Sequence, residues 1–298
     1  MLRFGISAAC SLVALALASS ASAACDVRYF AALPISLSPN GPMTSASING
    51  HSVDLFVNSG AFYSFMPKDT AQSIKLETKP ISTNFGFSNG KGDVAATLGY
   101  VDELKFGTQR IPDARFIVVG GGNLPQVTTL GQNILAINDA EFDLRGGIVR
   151  LSNPHGCTGK DMAYWAKPDY VRSVALEVPE GELDRQIIGK AIVNGTPMRA
   201  MFSSGGQTVI SSRALSKIAL ANGADKLETI KLTTLNIGGE EQSNVAIKVV
   251  PGNLNSNVDL IIGLDFFLTH RIYVSKGRRT LLFTINGESA PAASSDAR

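Results

Sequence analysis

The chain repeats itself once, and that repeat restricts the fold to one built from two similar units. Asn49-Gly50 stands between two apolar runs in the first half, and Asn194-Gly195 stands between two in the second. Asn-Gly in such a setting predicts a two-residue hairpin turn. About 10 residues past each turn comes a Ser-Gly motif: Val57-Asn58-Ser59-Gly60-Ala61, then Phe202-Ser203-Ser204-Gly205-Gly206. Phe65-Met66-Pro67 leads into a short helical stretch ending near Leu76. Val209-Ile210-Ser211-Ser212 leads into a second, with Ser211 or Ser212 as its N-cap. Leu130-Gly131 and Ile262-Gly263 follow. Each half closes with a strand pair, over 142–151 and 272–285, turning at Gly146-Gly147 and Lys276-Gly277. One Asn-Gly turn means little in a β protein; four elements recurring in one order mark a duplication.

Short alternating apolar runs and 29 Gly predict an all-β class. A length of 298 residues with 44% hydrophobic content suffices for two folded domains. A net charge of +2 without a basic cluster gives no support for a nucleic-acid partner. The three His and three Cys lack metal-ligand spacing, so neither metal nor cofactor is expected.

Residues 1–23 read as a secretory signal. Arg3 is its positive end, 12–18 (LVALALA) its apolar core, and Ala21-Ser22-Ala23 its cleavage site. A periplasmic or secreted location follows. Lipid attachment at Cys25 is an alternative, disfavoured because Ser22-Ala23-Ala24 lacks a large aliphatic residue. No later segment is long and apolar enough to span a bilayer. Cys10 leaves with the signal, so Cys25 and Cys157 remain. In an oxidising compartment they predict one disulfide; two free thiols are the alternative. The units are then 24–152 and 173–287. Between them lies a polar connector, 153–172, whose Tyr164 and Trp165 are expected to pack between the lobes. A tail, 288–298, is expected to be disordered.

Each half resembles a retropepsin-like or pepsin-like aspartic-peptidase unit, over about residues 40–152 and 173–287. The resemblance rests on the two Ser-Gly motifs and on Thr129-Leu130-Gly131 and Ile261-Ile262-Gly263 as the supporting apolar-apolar-Gly elements. It implies two similar β-barrel lobes with short helices, related by a pseudo-two-fold axis across a cleft. It implies a monomer in which both lobes come from one chain. The span from Gly60 to Gly131 is about 13 residues longer than that from Gly205 to Gly263. The excess falls near 85–98, where the family carries a flap over its substrate. Asn89-Gly90 is the expected flap turn; an ordinary surface hairpin is the alternative.

Aspartic peptidases use two carboxylates sharing one proton. Asn58 and Ser203 occupy the matching positions, and neither ionises at working pH. Asp54 lies four residues before Asn58 on one strand, about 13 Å away at strand rise, too far to substitute. Asp69 falls on the helical stretch, and Asp265 is expected to cap or pair structurally. Ser59, Ser203 and Ser204 could act as nucleophiles only beside a base. His51, His155 and His270 show no triad spacing. The expected function is a non-catalytic homologue that binds an extended peptide or protein segment. Asn58, Ser59, Gly60, Ala61, Ser203, Ser204, Gly205 and Gly206, with Asn89 and Gly90 of the flap, are its cleft residues. An active aspartic endopeptidase with an atypical site and an envelope scaffold are the alternatives.

Overall fold

The two Asn-Gly pairs turn their chains in the same way. Asn49 and Gly50 (φ 49° and 84°) join strands Gly41–Ile48 and His51–Val57; Asn194 and Gly195 (φ 48° and 78°) join Ile188–Val193 and Thr196–Phe202. Two consecutive positive φ values are what a type I′ hairpin requires, and Asn-Gly adopts them at least cost. This computed structural model describes residues 25–81, 87–88, 93–94, 96–120, 126–181, 185–218, 228–254 and 257–286. The proposed signal and tail, and the expected flap turn at Asn89-Gly90, lie outside them.

In both lobes the second hairpin strand runs on into its Ser-Gly motif and is flanked by a short parallel strand. Thr128–Leu130 pairs with His51–Val57, and Leu260–Ile262 pairs with Thr196–Phe202. Phe65–Pro67 and Val209–Ser211 then pair with those inserted strands on the other side. The second lobe closes into a six-stranded barrel. The first lobe forms a longer path of strands ending at Glu77–Pro80, whose four residues are all exposed. Within the longer span, Phe87–Ser88 pairs antiparallel with Asp93–Val94 as a separate two-stranded sheet.

A third sheet joins the lobes. Its order is Asp26–Pro34, Ile148–His155, Asp139–Asp143, His270–Ser275, Thr280–Ile285, Arg172–Ala175. The first three strands come from the first half and the last three from the second. They meet where Ala140, Glu141 and Phe142 pair antiparallel with Val274, Tyr273 and Ile272. One face is apolar and packs on the lobes through Ala140, Phe142, Ile272 and Phe283, all buried.

The connector covers the other face. Ile148–His155 continues past 152, and Arg172 already belongs to a strand, so the stretch between strands is 156–171, shorter than the sequence suggested, and it holds short 3-10 helices at Gly159–Met162 and Pro168–Tyr170. Tyr164 and Trp165 pack on this face and touch residues of both halves. Trp165 Nε1 donates to Thr284 Oγ1 (2.9 Å), and the Tyr164 hydroxyl donates to Glu141 Oε2 (3.0 Å). Beneath the stretch, Met162, Ala163, Val171, Tyr273 and Leu282 form a small core of their own. A Cys25–Cys157 disulfide ties it to the N-terminal strand. Among the described residues no helix is long and apolar enough to cross a membrane.

Candidate functional site

The two Ser-Gly motifs meet at the junction of the lobes. Each begins where its strand is held by the inserted one: Asn58 N donates to Leu130 O (3.0 Å), and Ser203 N donates to Ile262 O (2.9 Å). Each ends on the following turn: Gln132 N donates to Ala61 O (2.9 Å), and Leu264 N donates to Gly206 O (2.5 Å). The duplication seen in sequence therefore extends to single hydrogen bonds.

Between these anchors the middle serines cross. Ser59 Oγ donates to Phe202 O (3.2 Å) and accepts from Ser204 N (2.9 Å). Ser204 Oγ donates to Val57 O (2.8 Å) and accepts from Ser59 N (3.0 Å). Both side chains are fully buried. These four bonds satisfy buried backbone groups that would otherwise cost roughly 1–3 kcal/mol each. They also fix the distance between the lobes at this point.

Asn58 and Ser203 are in contact. Ser203 Oγ donates to Asn58 Oδ1 (3.2 Å), which also accepts from Gly60 N (2.9 Å). Ser203 Oγ accepts from Gly205 N (3.2 Å), so both residues close the same local turn. With Oδ1 accepting twice, Nδ2 of Asn58 is a donor, and it has no acceptor among the described residues. The glycines make this contact possible. A Cβ on Gly205 would fall 2.3 Å from Asn58 Cγ, and one on Gly60 would fall 2.3 Å from Ser203 Oγ.

Support residues repeat as well. Ser64 Oγ accepts from Gly131 N and donates to Asn133 Oδ1 (2.9 and 2.8 Å). Thr208 Oγ1 accepts from Gly263 N and donates to Asp265 Oδ1 (both 2.8 Å). Asp265 is thus occupied beside the second motif, and Asp54 accepts from Ser45 Oγ (2.6 Å). Sequence reasoning passed over Ser64, Asn133 and Thr208, although Asn133 and Asp265 both stand two residues past a matched glycine. It also passed over Gln132, a buried residue whose Nε2 donates to Ser59 O (2.6 Å).

Among the described residues, no base stands beside the serines of the two motifs. The Ser59 and Ser204 hydroxyl protons are committed to backbone carbonyls, and that of Ser203 to an amide oxygen. His51 and His155 are exposed. His270 follows helix Leu264–Thr269 and begins a strand. Its ring contacts Phe266 O, Thr269 Oγ1 and Glu240. Among the described residues, the centre presents the Asn58 amide as a donor between two neutral side chains.

Comparison with known proteins agrees with the fold. Residues 44–136 match the family model described as "gag-polyprotein putative aspartyl protease". The UBA domain-containing protein Mud1 of Schizosaccharomyces pombe is 34% identical over 138 residues, which is 45% of this chain and 38% of that protein. The match thus spans well under half of that curated relative. The crystal structure of an aspartic proteinase from Irpex lacteus superposes with a TM-score of 0.53 at 12% identity, over 87% of this chain and 99% of that one. At such identity the superposition speaks for the fold alone, and it covers both lobes. The first lobe is thus similar to a putative aspartyl protease over residues 44–136, and the two lobes together share the fold of an aspartic proteinase.

Proposed function

We propose that the chain is a non-catalytic binder of extended peptide segments, held in the cleft between its lobes. The observation carrying this is the pairing of Asn58 with Ser203. Hydrolysis by this architecture needs a carboxylate to take a proton from water and a carboxyl group to polarise the scissile carbonyl. Asn58 and Ser203 supply neither. The unclaimed Nδ2 can still donate to a peptide carbonyl, and an extended segment adds backbone pairing to the walls of a β cleft. Such a centre would hold an amide without attacking it. The N-terminal segment and the Cys25–Cys157 bond support a periplasmic or secreted setting.

The test compares the wild-type chain with the double variant Asn58→Asp/Ser203→Asp on a broad peptide library from acidic to neutral pH. The wild type is expected to retain peptides and release them intact. The double variant is expected to gain cleavage that pepstatin blocks. Pepstatin-sensitive turnover by the wild type at enzyme-like rates would overturn the proposal.

A further inference from the structure

Residues of both halves line a partly open cavity of ≈ 200 Å³. Its walls are apolar: Leu135, Ala140 and Phe142 from the first half, Leu176, Ile187 and Val274 from the second. Its charged lining is mostly cationic. Arg185, Lys276 and Arg279 lie along it, with a single acid, Glu177. That acid is already engaged, because Arg199 Nε donates to both of its oxygens (3.0 and 2.9 Å). Lys276 and Arg279 have no carboxylate partner among the described residues. Lys276 Nζ reaches only the Ile137 carbonyl, at 3.5 Å.

We infer that this cavity binds a small amphiphilic carboxylate, its hydrocarbon part among Leu135, Phe142 and Val274 and its anionic end at Lys276 and Arg279. Apolar walls with a few placed charges are the usual composition of a small-molecule site. The volume lies below the roughly 300–1,000 Å³ of sites for drug-sized ligands, which suits a medium-chain or arylalkyl acid. Uncompensated cations at the edge of an apolar cavity favour an anion over a neutral or cationic analogue of equal size. Gln132 connects the cavity to the cleft, since it lines the former and donates to Ser59 O at the base of the latter. The inference does not depend on what the cleft binds.

The experiment uses the intact chain with octanoate, octanol and octylamine below their aggregation limits, read by calorimetry and by amide shifts. Octanoate is expected to bind saturably and more tightly than either analogue, with the largest shifts at Gln132, Ala140 and Val274. Lys276→Gln/Arg279→Gln should weaken octanoate at least about ten-fold, the scale of losing an ion pair in a partly desolvated site, and leave octanol unchanged. Both positions are exposed, so that variant keeps its fold. Ala136→Phe, which fills the cavity from its partly exposed wall, should abolish binding of both. Failure of octanoate to saturate, equal binding of octylamine, or shifts confined to other surfaces would each overturn the inference.

Discussion

At the scale of single residues, the Asn58 and Ser203 positions were legible because each sits at a fixed distance from a hairpin turn. The work of Ser59 and Ser204 was not. Their hydroxyls act on backbone more than 140 residues away, and no local pattern encodes such a partner. The four crossing bonds form one ring, so its members are expected to be coupled. Ser59→Ala or Ser204→Ala should each cost roughly 1–3 kcal/mol, because each leaves buried backbone groups unpaired. The double variant should cost less than the sum, with a coupling of about 0.5–3 kcal/mol in denaturant titrations. Strict additivity would mean that the two halves of the ring act independently.

Among the elements, the hairpins could be read from sequence because their turns need positive φ and Asn-Gly supplies it. The helices Gln132–Leu135 and Leu264–Thr269 could not, being only four and six residues long and too short for apolar periodicity. The second of these leads into a pH-sensitive contact. His270 is buried, its ring stacks on Phe266 (4.0 Å between centroids), and its Nε2 lies 3.0 Å from Glu240 Oε2. Burial pushes the Glu240 carboxyl up, but hydrogen bonds from His270 and Gln242 and the nearby Arg172 outweigh it and hold the group below its ordinary 4.5. A folded-state value below the unfolded one gives stability that is fully present above about pH 4.5 and lost as pH falls through the folded value. Glu240→Gln should therefore lower Tm near neutrality, and the gap from wild type should close in acid. A gap that stays constant from neutral pH to pH 3, roughly a unit below the ordinary carboxylate range, would refute this assignment.

Across the whole molecule, the sheet joining the lobes was the least legible feature. Its strands come from both ends and the middle of the chain, as in the pairing of Asp26 with His155. At its outer face one fully buried carboxylate gathers all the parts. Glu141 accepts from Arg150 (2.6 Å) and Arg271 (2.7 Å) and from the hydroxyls of Tyr29 and Tyr164 (both 3.0 Å). These groups belong to the N-terminal strand, both lobes and the connector. Glu141→Gln leaves two guanidinium groups without their shared anion and should cost about 3–5 kcal/mol in unfolding free energy, measured by denaturant. A loss below about 1 kcal/mol, the worth of an exposed pair, would show that the cluster is not an effective joint. The symmetric strand order of this sheet has a consequence for how the site could change. In a dimer of identical chains every substitution at the centre is made twice. Here the two sides are separate positions in one chain, each open to its own mutation, and an amide could settle opposite an alcohol.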